Sequence, residues 1–284
     1  INNVYLPDVL AIAEVYSDYF GIGKGCGNFV SYGVFDLETK EKNLGLRKRL
    51  IPSGVVTDKL VREALDPQKI TEDVKHSWFE GDRKKPVEGV TEPAPDKEDA
   101  YSWIKSPRYD GKVAEVGPLA RTLNAYLAGN EKTKSLVDTV LEKFRAQPDV
   151  LFSVLGRHAA RAIECKVVAD AMAEWVLQLK PGEPVCVDYE LPDEAEGMGL
   201  TEGPRGSLGH WMKIKDRKID HYQLVVPTTW NASPKDAKGQ PGPIEQAVMG
   251  TKIKDLENPF EIVRIVRSFD PCLACAVHMV TAKG

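Results

Sequence analysis

The sequence predicts an α+β fold that is predominantly helical, with a core of long helices, a β-hairpin elaboration and long ordered loops. Three observations carry this. Residues 149–179 repeat apolar side chains at helical spacing between Pro148 and Pro181. Residues 184–231 change to short β-branched and aromatic stretches, among them VCVDYEL and WMKIKDRKIDHYQLVVPTTWN. Residues 80–112 hold Pro86, Pro93, Pro95 and Pro107 yet keep Tyr101, Trp103 and Tyr109, which points to a long loop that is packed rather than disordered. The division that follows is a helical body over about residues 1–182 and a β-rich segment over about 183–284.

Taken in order, residues 7–20 open with Pro7 and carry Val9, Leu10, Ile12, Ala13, Val15 and Tyr16, a helical pattern stopped by Gly21. The alternating Gly21, Gly23, Gly25 and Gly27 satisfy neither G-x-G-x-x-G nor G-x-x-x-x-G-K-[ST], so they predict a tight turn before a β-like segment. Residues 118–129 and 131–146 read as two helices broken at Gly129 and Asn130. The 31 residues from Asp149 to Leu179 then predict one rod of about 46 Å at 1.5 Å per residue. On it, His158 and Cys165 share a face, and the expectation is a packed histidine and a buried free thiol. Short helices are expected near IEQAVMG and NPFEIVRIVRSF, the second delivering the chain to DPCLACAVH.

Lys and Arg total 38 against 42 Asp and Glu, a net charge of −4, which excludes gripping nucleic-acid phosphates as the main task. No run approaches the roughly 20 apolar residues of a membrane-spanning helix, so no direct span is expected. The chain opens at Ile1 with no visible signal peptide. Its five cysteines, Cys26, Cys165, Cys186, Cys272 and Cys275, are too sparse for a disulfide framework.

Three segments carry chemistry. Cys272 and Cys275 form a C-x-x-C that brings two thiolates to one ion, with His278 three positions further on. Alone this is half a site: a structural zinc needs four ligands, and a redox pair belongs early in a βαβ unit. Glu202-Gly-Pro-Arg-Gly206 sets Arg205 on a rigid, close-approaching backbone suited to an anion, although such an arginine is also commonly a surface ion pair. Val226-Pro-Thr-Thr-Trp-Asn231 places hydroxyls and an amide after a β run, or is simply a turn ending a strand.

Six separated segments, SWFEG, EGVTEPAP, YSWIKSPRYDGKVAEVGPLAR, EGPRGSLGHW, VVPTTWNASP and RSFDPCLACAVH, resemble the large, catalytic subunit of nickel-iron hydrogenases of the uptake, periplasmic or membrane-bound type. The resemblance covers essentially the whole chain. It implies reversible heterolytic cleavage of hydrogen to protons and electrons at a thiolate-bound Ni-Fe centre carrying carbon monoxide and cyanide, with electrons passed to iron-sulfur clusters held only by a small partner subunit. By the same resemblance Cys272 is a terminal nickel ligand, Cys275 bridges nickel and iron, and His278 helps to bind Mg2+. Arg205 stands over the open coordination position with Asp270 orienting it. Pro204, Arg205, Val226, Pro227 and Thr228 line the pocket for the diatomic ligands.

The family's N-terminal R-x-C-G-x-C is absent, since Cys26 in GKGCGNF has no second cysteine three residues away. The chain is therefore expected to be the C-terminal portion of a large subunit, with the N-terminal part as a further partner and Cys26, Cys165 and Cys186 structural. MVTAKG after His278 is expected to be the extension that a maturation endopeptidase removes. The resemblance implies export to the periplasm with the small subunit, membrane association through a partner, and a cytoplasmic stage before processing. Two other readings stay open: a non-catalytic scaffold subunit of a respiratory complex, and a zinc-binding structural module.

Overall fold

The computed structural model describes residues 3–38, 40, 41, 43, 45–184, 186 and 188–277. Helix α1 (Tyr5–Val15) is followed by a 3-10 turn at Ser17–Phe20. Gly23, Gly25 and Gly27 then take φ of 77, 73 and 71°, the tight turn expected from their spacing. Seven short strands come next: β1 (Phe29–Ser31), β2 (Val34–Asp36), β3 (Arg49–Ile51), β4 (Gly54–Val56), β5 (Arg62–Glu63), β6 (Ile70–Asp73) and β7 (Ser106–Tyr109). They pair antiparallel as β1-β4-β5, β2-β3 and β6-β7. This differs from the helical body read into the first half of the sequence: before Pro118, α1 is the one α-helix among the described residues. The β-like segment expected after Gly27 is borne out by β1 and β2, but the other strands, of two to four residues, are too short to show a period of two.

The predicted long loop is ordered, as its aromatics suggested. Trp103 packs at 5.2 Å from Trp78 and 5.7 Å from Phe79, ring centre to ring centre, and Tyr109 is buried on β7. Arg108 is fully buried and donates from Nε to Asp236 Oδ2 at 3.0 Å and from Nη2 to the carbonyls of Pro234 and Gln240. One guanidinium thus ties the β7 segment to the Pro/Gly-rich loop after residue 231.

Helices α2 (Pro118–Leu127), α3 (Glu131–Phe144) and α4 (Val154–Val176) form the helical core. Pro118 starts α2 at a position where its missing N–H costs nothing. Asn130 caps α3 by accepting from Thr133 N, and Ser153 Oγ caps α4 by accepting from Gly156 N. The single rod expected from residue 149 to 179 is shorter than its pattern: Pro148–Leu151 is a 3-10 turn, Ser153 stops the helix on one side, and α4 ends at Val176. Its 23 residues span about 34 Å. Phe29, Val56, Leu119, Leu123, Val137, Leu151 and Ile163 make the core between these helices and β1-β4.

Beyond α4 the expected β elaboration is a three-stranded meander, β8 (Glu194–Gly203), β9 (Gly206–Lys215) and β10 (Lys218–Val225), in the order β10-β9-β8; it starts later than expected, since the described residues of VCVDYEL form no strand. Trp211 and Val225 on its inner face join Val30, Tyr32, Val116 and Trp230 in a second core. VPTTWN, open at the sequence level to a strand-ending turn, forms the short helix α5 (Pro227–Asn231). Helices α6 (Pro243–Val248), α7 (Phe260–Ser268) and α8 (Leu273–Ala276) complete the described chain. Ile265 and Phe269 pack with Val154 and Leu155, so α4 carries the segment that leads to the C-x-x-C. No helix of the described residues is long and apolar enough to cross a membrane.

Candidate metal centre

Four chain segments meet at the candidate centre. Pro204 and Arg205 form the two-residue turn between β8 and β9, closed by the Gly203–Gly206 pair. This turn lies flush on the Val116–Gly117 backbone. A Cβ on Gly206, whose φ is 137°, would stand 2.6 Å from Val116 Cγ2, and a Cβ on Gly117, φ 122°, would stand 2.9 Å from the Arg205 carbonyl. Asn231 on α5 holds the same strip of backbone from the other side, accepting from Val116 N at 3.0 Å and donating to Val116 O at 2.9 Å. Both peptide groups are buried, so Asn231→Ala is expected to cost about 2 kcal/mol, read as a lower urea midpoint at unchanged slope.

Arg205 Nε donates to the Asp270 carbonyl at 2.9 Å and lies 3.4 Å from Asp270 Oδ2. Asp270 itself has φ 51°, a left-handed conformation that Asp tolerates, immediately before Pro271. Cys272 follows at the head of α8, and its N–H donates to Thr228 Oγ1 at 3.2 Å. Thr228 is buried at the start of α5, which packs against α8. The turn of α8 returns Cys275 to Cys272, with Cys275 N donating to Cys272 O at 3.0 Å.

The two thiols are hydrogen-bonded to each other, and this separates them. The Cys275 thiol lowers the Cys272 pKa, with help from the backbone N–H groups of Cys275 and Ala274 and from the Arg205 charge. The same hydrogen bond, burial and the Cys272 charge push Cys275 up. In the metal-free chain, alkylation at neutral pH is therefore expected to modify Cys272 before Cys275, and Arg205→Met to slow it. Equal labelling of the two by mass spectrometry would contradict this ordering.

The structure thus brings Arg205, Asp270, Thr228, Cys272 and Cys275 together. Pro204 sits beside Arg205 on the turn, and Val226 and Pro227 lead into α5 with Thr228. His278 lies outside the described residues. Sequence reasoning missed the supports Gly117, the buried arginines Arg121 and Arg157, and the half-buried Arg161. Arg161 Nη2 donates to Ser268 O, and the Arg157 guanidinium stacks 3.8 Å from the Phe269 ring centre, so both hold the backbone just before Asp270. An arginine inside an apolar helical pattern is the one signal that could have flagged them.

The remaining cysteines are not gathered here. Burial pushes Cys26 up to about 12, and its Sγ donates to Asn28 O, an inert and structural thiol. Cys165 and Cys186 are exposed, which corrects the expectation that Cys165 is a buried core thiol. Cys165 lies on an exposed part of α4, although the periodicity there resembles a core stripe. His158 is held neutral, lowered to about 4 by burial and by Arg161, Arg264 and Arg157, and among the described residues no metal-holding group joins it to Cys165.

Comparison with known proteins decides the family. A sequence profile described as nickel-dependent hydrogenase matches residues 1–278. The chain belongs to the nickel-dependent hydrogenase family. It is 42% identical to the periplasmic NiFeSe hydrogenase large subunit of Desulfomicrobium baculatum over 98% of this chain and 54% of that protein. It is 38% identical to the uptake hydrogenase large subunit of Rhodobacter capsulatus over 100% of this chain and 53% of that protein. A solved NiFeSe hydrogenase variant from Desulfovibrio vulgaris Hildenborough superposes with a TM-score of 0.88 at 40% identity, covering 98% of this chain and 57% of that one. The chain spans about half the length of the curated hydrogenases it matches.

The residues present fit a nickel-iron centre in part. Two soft thiols within hydrogen-bond reach of each other, beside a guanidinium, are suitable donors for such metals. Among the described residues no third histidine, cysteine or carboxylate joins them in a metal-holding group. The described residues therefore offer two candidate donors rather than a closed set.

Proposed function

We propose that the chain is the C-terminal portion of the catalytic large subunit of a nickel-iron hydrogenase, serving reversible cleavage of hydrogen to protons and electrons. The observation that carries this is the pair Cys272 and Cys275 facing the Arg205–Asp270 contact, in a chain of this family. Cys272 and Cys275 would hold the metals as thiolates. When bound, the nickel-iron centre supplies the binding and redox chemistry for hydrogen. As metal-bound thiolates the two sulfurs would also be able to accept a proton beside the metals.

Arg205 places a positive charge beside the thiol pair, and its half-exposed side chain is tethered by the Asp270 carbonyl. The Thr228 hydroxyl accepts from Cys272 N, leaving its own proton for an acceptor in the pocket, such as the cyanide nitrogen the family resemblance implies. Pro204, Val226 and Pro227 wall that pocket, and His278 contributes to an Mg2+ site. The partners are a small iron-sulfur subunit, the remainder of a large subunit, and a maturation endopeptidase acting after His278. Periplasmic placement follows the D. baculatum relative.

Elemental analysis of the assembled protein, coupled to a hydrogen-deuterium exchange assay, tests this. Equal nickel and iron with exchange supports the enzyme; absence of both metals supports a scaffold subunit, and zinc alone a structural module.

A further inference from the structure

We propose that Arg121 is the positioning residue for Arg205, holding with one guanidinium the turn that carries it. The proposal rests on Arg205 as the charge over the thiol pair. Arg121 lies on α2 and is 2% exposed. Its Nη1 donates to the Gly203 carbonyl at 2.9 Å and its Nη2 to the Pro204 carbonyl at 2.9 Å, the two carbonyls immediately before Arg205. Such carbonyls on a two-residue turn ordinarily face water and leave the turn free to rock.

The rest of the fork is also committed. Nη1 reaches Glu202 Oε2 at 2.7 Å, while Nε and Nη2 grip Glu164 of α4 at 2.6 and 2.7 Å. Glu202 in turn accepts from Tyr32 N and from Ser207 Oγ, binding both sides of the turn to one carboxylate. From below, Val116 and Gly117 leave no room for the turn to sink. Arg205 is therefore the one long side chain of the turn that projects, and its backbone has no freedom to drift.

The partners of Arg121 explain why the arrangement sets a distance and not merely a fold. Glu164 lies on α4, the helix whose Arg161 donates to Ser268 O and whose Arg157 stacks on Phe269. One helix thereby holds both the turn bearing Arg205 and the segment bearing Asp270, Cys272 and Cys275. A lysine keeps the charge but presents a single point and cannot reach two carbonyls and two carboxylates in one plane.

The test compares Arg121→Lys, Glu202→Gln and Glu164→Gln in the full chain by amide hydrogen exchange. Arg121→Lys is expected to speed exchange in residues 202–207 by about tenfold or more while peptides from α2 and α4 stay within about threefold. Glu202→Gln sets an amide NH2 against Nη1 and is expected to loosen the same turn, so it decides the matter if the lysine variant does not fold. Glu164→Gln leaves both carbonyl contacts in place and is expected to leave the turn protected.

In the assembled hydrogenase, Arg121→Lys is expected to lower the rate of hydrogen-deuterium gas exchange by about 100-fold, the usual effect of an ångström-scale misplacement. Exchange in the turn that is unchanged, or that rises equally in α2 and α4, overturns the proposal, as does full gas-exchange activity with a loosened turn. Arg205→Lys separates the two ideas. If that variant keeps full activity, the role given to Arg205 fails, while the amide exchange still decides what Arg121 holds.

Discussion

Replacing Cys272 or Cys275 by serine is expected to leave the assembled hydrogenase with nickel below detection and without hydrogen-deuterium exchange. A serine hydroxyl is similar in size to the thiol but is a hard, protonated oxygen, a poor ligand for the soft metals of this family. Loss of a residue that only orients a metal ligand already costs about 10–100-fold in affinity, so loss of a ligand itself exceeds about 100-fold. The thiols share one helical turn, with Cys272 N on Thr228 Oγ1 and Cys275 N on Cys272 O, and neither contact needs the sulfur. The fold is thus expected to survive, with an unchanged urea midpoint. Cys165→Ser and Cys186→Ser serve as controls, because both thiols are exposed and outside the centre. Retention of full nickel and iron by Cys272→Ser would refute the metal assignment.

Arg157→Met is expected to destabilise the chain by about 3–5 kcal/mol, the usual cost of leaving a buried charge unpaired. Arg157 Nε and Nη2 each meet a Glu115 oxygen at 2.8 Å, and Nη1 donates to Gly23 O at 2.6 Å. Both side chains are almost fully buried, at 3% and 2% exposure. Removing the guanidinium strands the Glu115 carboxylate beside Cys26 and frees the Gly23–Gly27 turn. For a chain of this size the loss corresponds to a fall in melting temperature of about 10 °C. The double variant Arg157→Met with Glu115→Gln leaves no buried charge, so it is expected to recover much of that stability. A single variant within about 1 kcal/mol of the parent, or a double variant worse than the single, would show that the pair is not what holds this junction.

The helices and the meander were legible because each runs long enough to show its period. The strands β9 and β10, the capped α3 and the amphipathic α2 express a pattern before any contact forms, whereas β8, EAEGMGLTEG, shows none. In the first half, the β-like segment expected after Gly27 is where β1 and β2 lie, whereas strands such as Gly54–Val56 were not legible, since they are buried throughout and show no alternation. The length of α4 was overread for a related reason. Apolar spacing continues past both ends, and the Ser153 cap and the 3-10 turn at Pro148–Leu151 settle where the helix starts.

At the candidate centre the division is similar. Arg205, Asp270, Cys272 and Cys275 stand out as residue types in local motifs, and the segments around them suffice to recognise the family. That Cys165 would be exposed while Arg108, Arg121 and Arg157 would be buried is invisible in the string. Burial of a charge depends on whether a partner arrives from a distant part of the chain.

The sequence by itself determined the family, the thiol pair and the turn residues, because these depend on side-chain chemistry and on neighbours within a few positions. The tertiary structure alone decided that Arg205 meets Asp270 across 65 residues, that Asn231 clasps Val116 across 115, and that Arg121 seizes Pro204 across 83. Those contacts arise from packing α2, α4 and the meander around shared cores. Buried guanidiniums there must find carboxylates and carbonyls or forfeit the solvation they have lost, and that requirement ties these distant segments together.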